Sequence, residues 1–339
     1  MSDASVTVLM PVYNAVDTLE AAVSSILGQS RGDLELWAID DGSTDASLSV
    51  LRQFNDSRLR ILENSENQGV TATLNRGLDE IRSRYVVRMD ADDIAVPDRI
   101  EQQVGFMEQR PDLAVSGSAV SLFGDYTAAI HRYPVGAATV RYSLMYANPV
   151  CHPSAIIRRD VLAGEGLRYD PVFSRCEDYD LWSRVSACGA LDNLDMPLLK
   201  FRVHGGSVTG SHRDVMMAQT REIIRRELER HGLDMSQPEV DDQMLIGSGQ
   251  PAASLDGFER CVRLVERLGA QGVRAEDPVG WQGALDFHAL RFFRNNAVHG
   301  CGVWTRIPAA YRARMSGRMK AIMFAAMLRH TVLPGGRGR

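Results

Sequence analysis

Short apolar runs alternate with segments of helical periodicity through the first 120 residues, and this alternation limits the possible folds more than any other feature of the chain. The runs at 6–12, 34–39, 59–62, 85–89 and 113–118 predict buried strands. Between them, apolar residues recur at helical spacing, which predicts helices. Alternating strands and helices with short connections favour an α/β fold with a Rossmann-like, mostly parallel, doubly wound sheet.

Acidic side chains follow two of the predicted strands. Asp40 and Asp41 come directly after the second strand, and Asp90, Asp92 and Asp93 come directly after the fourth. Ligands of a doubly wound sheet bind beyond the carboxyl ends of its strands, so the two acidic loops are expected to face one crevice. Three carboxylates within four residues repel one another unless a cation or water separates them. Oxygen ligands suit Mg2+ or Mn2+ carrying a diphosphate, although a lone acidic turn on the surface is the alternative.

The composition is that of an ordinary globular protein and argues against several classes. With 339 residues, of which 45% are hydrophobic, the chain can bury a full core. A formal net charge of -5 argues against a general nucleic-acid binder. The five cysteines are odd in number and form no C-x-x-C pair, which argues against a zinc knuckle or a complete disulfide framework. These features predict a protein of the reducing cytoplasm.

Two terminal segments bear on membrane association. Residues 1–12 lack the basic region and long apolar core of a signal peptide, and the apolar run at 321–328 is far shorter than the roughly 20 residues that cross a bilayer. From residue 304 onward the chain has basic residues but no Asp or Glu, with apolar residues among them at near-helical spacing. Such a helix can contact the inner face of an anionic membrane, or pack on its own domain with a solvated basic face.

Five motifs occur in an order that is far more specific than any one of them. They lie at 11–15, 40–45, 67–69, 90–93 and 177–182. With these motifs the sequence resembles the family 2 glycosyltransferases, which have the GT-A fold, over about residues 5–210. The resemblance implies an inverting enzyme that moves a sugar from a nucleoside-diphosphate sugar, with a UDP-sugar favoured, to a hydroxyl of a saccharide or lipid-linked acceptor. Surface polysaccharide or glycoconjugate synthesis is the expected setting.

The resemblance also implies a division of the chain. Residues 1–120 would form the nucleotide-sugar-binding half of the GT-A domain, and residues 121–212 the acceptor-binding and catalytic half. Residues 213–339 would form a C-terminal helical extension that ends in the basic tail. Within it, a helix at 213–231 is followed by a stretch at 233–254 whose glycines and prolines predict a linker.

Residues of the first half match the family positions that bind the nucleotide sugar. By the resemblance, Asp41 accepts a hydrogen bond from a ring N–H of the base, which uracil, thymine and guanine all offer. A structural role, in which Asp41 caps the following helix, is the alternative. The other positions carried over to this group are Pro11, Tyr13, Asn14, Asn75, Asp90 and Ala91. The basic residue found near the third helix in many relatives is displaced here, so Arg76 is given no diphosphate contact.

Metal and catalytic roles follow from the same match. Asp92 would bind the divalent cation, Mn2+ or Mg2+, with His204 completing the coordination or touching the diphosphate. Asp178 would be the base that takes the proton of the acceptor hydroxyl, with support from Glu177. Taken alone, these acids and this histidine are also compatible with a helix N-terminus and a structural loop. The residues expected on the acceptor side are His152, Asp93 and Trp182, with a role in the fold alone as the alternative for Asp93.

Three other functions were weighed against this one. A non-catalytic nucleotide-sugar-binding or scaffold protein would be expected to lack the base or the metal ligand, and both Asp178 and Asp92 are present. A sugar-phosphate nucleotidyltransferase should carry a Gly-rich, Arg-containing loop after the first strand, where this chain has the motif at 11–15. A dehydrogenase is disfavoured because no G-x-G-x-x-G follows a strand.

Overall fold

A computed structural model describes residues 5–125, 129–204 and 213–332, with side chains described as far as residue 327. The chain divides into two compact units. The first is formed within residues 1–137 and 148–219, and the second within residues 138–147 and 220–339.

The amino-terminal part of the first unit has the parallel arrangement that the periodicity predicts. Four neighbouring strands pair in parallel in the order β3, β2, β1, β4. They are β1 Val6–Val12, β2 Leu34–Asp40, β3 Leu59–Glu63 and β4 Tyr85–Arg88. The helices that alternate with or follow them are α1 Leu19–Leu27, α2 Ser47–Leu51, α3 Val70–Glu80 and α4 Arg99–Gln109. Apolar residues of β1, α1, β2 and β4 form a buried core.

The remaining strands make the sheet mixed. They are β5 Ile94–Ala95, β6 Leu113–Gly124, β7 Ala129–His131, β8 Ile156–Arg158 and β9 Ala190–Val203. The short strand β8 lies antiparallel between β4 and β6, whereas β6 and β9 form a long parallel pair. Helices α5 Ala137–Ser143, α6 Arg159–Gly164 and α7 Glu177–Val185 and the 3-10 helices His152–Ser154 and Pro171–Phe173 connect these strands. The predicted parallel sheet is therefore present, with antiparallel strands added to it.

The carboxyl ends of β1, β2 and β4 meet at one edge of the sheet because these strands are adjacent and parallel. In register, Val12 lies beside Asp40, and Leu9 lies beside Arg88. The segments that leave the three strands therefore start from the same edge, as expected for a ligand-binding edge of this type of sheet. This placement brings the first, second and fourth sequence motifs together.

The second unit is helical. The prediction of a linker at 233–254 is wrong, because part of this stretch forms a helix. A helix, α9, occupies Gln237–Ser248 within that stretch, starting at a capping box formed by Ser236 and Glu239. Proline at its start costs no hydrogen bond, since the first N–H groups of a helix have no partner within it. Gly249, in the left-handed region, ends the helix. Most of the glycines and prolines that suggested a linker thus lie at or near helix ends. Gly247 lies inside the helix at a close contact, because a Cβ at this position would be 1.8 Å from the Tyr146 carbonyl oxygen.

Apart from α9, further helices extend from residue 213 to the end of the described chain. They are α8 Arg213–Arg230, which precedes α9, then α10 Leu255–Gly272, α11 Pro278–Asn295, the 3-10 helix Asn296–His299, α12 Gly302–Arg306, α13 Ala309–Arg314 and α14 Gly317–Val332. In α14, Met323 and Met327 are buried, while Ile322 and Phe324 are exposed. Within the described ranges, no helix combines the length and hydropathy needed to cross a bilayer.

Candidate active site

A cleft of about 830 Å³ lies in the first unit, at the edge where β1, β2 and β4 end. Its walls come from the segments after these strands, the start of α7 and the end of β9. Nine residues that the sequence assigned to donor, metal or catalysis line it together: Pro11, Tyr13, Asn14, Asp41, Asp90, Ala91, Asp92, Glu177 and His204.

The turn after β1 presents a tyrosine ring to the cleft. Asn14 has a φ of 48°, in the left-handed region that asparagine tolerates better than most residues. Its side-chain oxygen accepts a hydrogen bond from the Thr44 N–H at 2.8 Å, and its own N–H donates to the Ser43 hydroxyl oxygen at 3.0 Å. These bonds join the first two motifs. Tyr13, held beside this turn, is 48% exposed and has an aromatic face free for stacking.

Asp41 organises the third motif and does not cap the following helix. Its carboxylate accepts hydrogen bonds from Asn64 Nδ2 at 2.6 Å, Gln68 N–H at 3.0 Å and Gly69 N–H at 2.9 Å. Helix α2 begins after Ala46, which is too far along the chain for the Asp41 side chain to cap the helix. The capping alternative is therefore wrong, and the carboxylate is fixed at the cleft by groups of the turn at 67–69.

The acidic stretch places two of its carboxylates on the cleft and one in the interior. One ligand atom from each of Asp90, Asp92 and Asp93 lies within 4.8 Å of the others. Asp93 is only 1% exposed, and its Oδ1 accepts a hydrogen bond from the Arg202 N–H at 2.8 Å. The Arg202 Nε donates to the Asp92 carbonyl at 2.9 Å. Asp93 thus anchors the acidic loop to β9, which agrees with a structural role for this side chain.

The electrostatics of this stretch favour a bound cation. Burial and the neighbouring Asp90 carboxylate raise the pKa of Asp92, and the same two causes raise the pKa of Asp93 to about 8. His204 Nε2 lies 3.3 Å from Asp92 Oδ2. The second oxygen of Asp93 is buried without a hydrogen-bond partner. Cleft-facing carboxylates beside an imidazole form a donor set that fits Mn2+ or Mg2+.

Glu177 and Asp178 lie in the first turn of α7. Asp178 accepts hydrogen bonds from Asn148 Nδ2 at 2.6 Å and from the Tyr179 N–H at 2.7 Å. Glu177 lines the cleft, whereas Asp178 lies beside it and is partly exposed. Burial raises the pKa of Asp178, and burial together with Asp178 raises the pKa of Glu177 to about 7. A carboxylate whose pKa is raised in this way is a better proton acceptor.

Three other predicted site residues lie behind the cleft wall. His152 is 7% exposed, lies 2.9 Å from the Tyr169 hydroxyl through Nε2, and has a pKa held well below its usual value by burial. Trp182 is fully buried on α7. The amide of Asn75 donates to and accepts from the backbone of Tyr169, at 2.8 and 3.0 Å. None of the three lines the cleft in this structure, so the acceptor contacts of His152 and Trp182 and the donor contact of Asn75 stay predictions.

The sequence analysis missed three arginines that line the cleft, Arg88, Arg175 and Arg202. Arg88 was detectable, because a basic residue at the end of an otherwise apolar strand needs a partner. Arg175 and Arg202 carry no such local signal. Arg76, which received no diphosphate contact, donates to the Glu63 carbonyl at 2.8 Å and is not among the cleft residues.

Comparison with known proteins agrees with this geometry. The profile of Glycosyl transferase family 2 matches residues 7–164. An uncharacterized glycosyltransferase of Haemophilus influenzae is 32% identical over 247 residues, which cover 68% of this chain and 76% of that protein. The Escherichia coli enzyme named UDP-Glc:alpha-D-GlcNAc-diphosphoundecaprenol beta-1,3-glucosyltransferase WfgD is 26% identical, with coverage of 62% and 82%.

A solved structure agrees at the level of the fold. The crystal structure of S. aureus TarS 1–349 in complex with UDP-GlcNAc superposes with a TM-score of 0.57 at 14% identity, covering 96% of this chain and 92% of that one. The fold class and the family predicted from the motifs are thus confirmed. The chain belongs to glycosyltransferase family 2 and is a glycosyltransferase of the GT-A fold.

Proposed function

We propose that the enzyme transfers a sugar from a nucleoside-diphosphate sugar to an acceptor hydroxyl with inversion at the anomeric carbon. One observation carries the proposal: Asp90, Asp92 and Glu177 line the same cleft, and Asp178 follows Glu177 in the first turn of α7. A group that binds a diphosphate through a cation and a group that accepts a proton are what a single displacement requires. A scaffold protein would need neither.

The donor half of the cleft suits a nucleotide. The exposed ring of Tyr13 offers a stacking surface, and Asp41 offers carboxylate oxygens to a ring N–H of the base. Asp90 is assigned to the ribose or to a metal-bound water. We favour a UDP-sugar because the E. coli relative is named for UDP-Glc and the TarS complex contains UDP-GlcNAc.

The leaving group needs positive charge. Asp92 and His204 would hold Mn2+ or Mg2+, and the cation would supply charge stabilisation to the departing diphosphate when bound. Arg175 and Arg202 line the same cleft and add fixed positive charge on the protein side. Arg202 also holds the acidic loop through its bond to the Asp92 carbonyl.

The acceptor half supplies the base. The acceptor oxygen bonds to the anomeric carbon as the bond from that carbon to the diphosphate oxygen breaks, and the hydroxyl proton passes to the Asp178 carboxylate. The Asn148 amide holds this carboxylate in place at 2.6 Å. Glu177 raises the proton affinity of the site by its negative charge. Attack opposite the leaving group gives inversion.

Donor binding tests this function. We expect a UDP-sugar, among UDP-, dTDP- and GDP-sugars each offered with Mn2+ or Mg2+, to raise the melting temperature by several degrees, since a ligand that binds only the folded state stabilises it. EDTA should abolish most of the shift. Failure of every donor to stabilise the protein at millimolar concentration would count against the proposal.

The acceptor and its location form a second part of the proposal. The E. coli relative is named for a diphosphoundecaprenol acceptor, and we propose a lipid-linked saccharide acceptor here, met at the inner face of the membrane. Arg306 and Arg314 form ion pairs with Glu259 and Asp286. Arg318, in contrast, is exposed on α14 with the exposed apolar residue Ile322 one turn further on. This combination suits contact with anionic lipid.

Vesicle flotation tests the membrane contact. We expect the full-length protein to float with vesicles containing about one third anionic lipid and not with neutral vesicles, because each basic residue near the surface gains roughly 1 kcal/mol. The double variant Arg318→Glu/Ile322→Ser should lose most of this binding. These two exposed sites are preferable to truncation, since Met323 and Met327 of the same helix are buried. If both proteins float equally well with anionic vesicles, α14 does not form the membrane contact.

A further inference from the structure

A buried arginine lies beside the acidic stretch of the cleft. Arg88 ends β4, its side chain is only 6% exposed, and it forms an ion pair with Asp90 through Nη1. It also lines the cleft. Burial of a guanidinium is costly, and an arginine retained in such a place is explained by function more readily than by stability.

The hydrogen bonds of Arg88 are incomplete. Nε and Nη1 are buried and make no hydrogen bond of good geometry, although Nη1 is close enough to Asp90 for the ion pair. A buried structural arginine usually donates to several carbonyl groups, as Arg158 does to Leu113 at 3.0 Å and to Met107 at 2.9 Å. Arg88 therefore differs from Arg158 in that its buried Nε and Nη1 have no carbonyl acceptors.

The positive charge of Arg88 acts on both carboxylate pairs. Burial is the largest single influence on Arg88 and lowers its pKa, but Asp90, Tyr169 and Glu177 together outweigh burial, so the pKa of Arg88 is raised. Burial raises the pKa of Glu177 and Asp178, and the charge of Arg88 opposes that rise in both. The charged and titratable groups that face the Glu177–Asp178 pair are Arg88 and Asp90 after β4, Cys151 and His152 before β8, and Tyr169.

We propose that Arg88 is a positioning residue shared by both halves of the site. It holds Asp90 toward the donor through their ion pair, and it places a fixed positive charge in the cleft that Glu177 also lines. The inference rests on the proposed function, because it assigns Arg88 to that same reaction. The guanidinium acts through these carboxylates and is not itself the group that takes the proton.

Substitution of Arg88 tests the proposal through the pH dependence of turnover. We expect Arg88→Met to lower kcat about 100-fold at neutral pH, the order of loss found when one fixed electrostatic group of an active site is removed. The acid limb of the kcat profile should move to higher pH, because carboxylates without a nearby cation bind protons more tightly. Arg88→Lys keeps the charge, so its acid limb should stay near that of the wild type. The donor KM should rise in both variants, because Asp90 is held less well.

Arg158→Met is the matched control, since it also removes a partly buried arginine of the same unit that does not line the cleft. We expect it to lower the melting temperature and to leave the pH profile unchanged. An unshifted acid limb in Arg88→Met, or an equal shift in Arg88→Lys, would overturn the proposal. If Arg88→Met does not fold, the test rests on Arg88→Lys alone. An unchanged donor KM in Arg88→Lys would then contradict the proposal that Arg88 positions Asp90. A wild-type enzyme that turns over no donor would instead refute the proposed function.

Discussion

Asp178→Asn is expected to reduce turnover about 1,000-fold while leaving donor binding nearly unchanged. The amide has the shape of the carboxylate and can still meet Asn148, but it cannot take a proton from the acceptor. Donor affinity should change little because Asp178 lies outside the residues that line the donor side of the cleft. The measurements are initial rates of nucleoside diphosphate release and calorimetric titration with the donor.

Two further variants make the Asp178 result specific. Asp180→Asn is the same substitution two residues on, at a buried carboxylate that pairs with Arg184 at 2.6 Å. It should lower stability and leave turnover per folded molecule near that of the wild type. Glu177→Gln should reduce turnover only about tenfold, as expected for a supporting charge. If Glu177→Gln abolishes turnover while Asp178→Asn retains it, the base role passes to Glu177, which faces the cleft directly.

Asp92→Asn is expected to weaken metal-dependent binding of UDP about 100-fold. Removal of one carboxylate leaves Asp90 and His204 as the remaining donors on the cleft, and an amide oxygen is a weaker ligand for a hard cation. Binding measured in EDTA should be equally weak in variant and wild type, since the substitution does not alter Tyr13 and Asp41, the residues proposed to contact the nucleotide. Titration with UDP, with and without Mn2+, measures both effects.

Asp98→Asn provides the matched comparison for Asp92. Asp98 immediately precedes α4, outside the residues that line the cleft, where it accepts a hydrogen bond from Gln102 at 3.2 Å. This substitution should leave the metal dependence of UDP binding intact. A wild-type metal response in Asp92→Asn would mean that the cation is held elsewhere.

Apolar periodicity and short motifs, which are local features of the sequence, predicted part of the fold. Strands β1 to β4 and the helices between them follow from apolar periodicity, and the acidic motifs at their ends identify the ligand-binding edge. Strand β8 has only three residues, too few to give a pattern, and its place between β4 and β6 depends on contacts distant in sequence. The mixed character of the sheet could not be read from the chain for this reason.

The site residues divide in the same way. Tyr13, Asp41 and Asp92 lie in the loops that leave strands, so their motif positions predicted their place on the cleft. The hydrogen bond of Asn75 could not be predicted, because its partner, Tyr169, is 94 positions away and gives no signal in the sequence. Trp182 could have been recognised as a core residue, since it lies on the same apolar face of α7 as Leu181 and Val185, which are also buried.

Release of nucleoside diphosphate from a sugar donor tests the central claim most directly. The wild-type enzyme is incubated with UDP-, dTDP- and GDP-sugars in Mn2+ or Mg2+, beside Asp178→Asn and an EDTA control. We expect the enzyme to release diphosphate slowly from one donor, a UDP-sugar, with water as the acceptor, and the release to require the cation and the Asp178 carboxylate. No release from any donor, or release that is unaffected by EDTA and by Asp178→Asn, would contradict the assignment of this cleft as the site of glycosyl transfer.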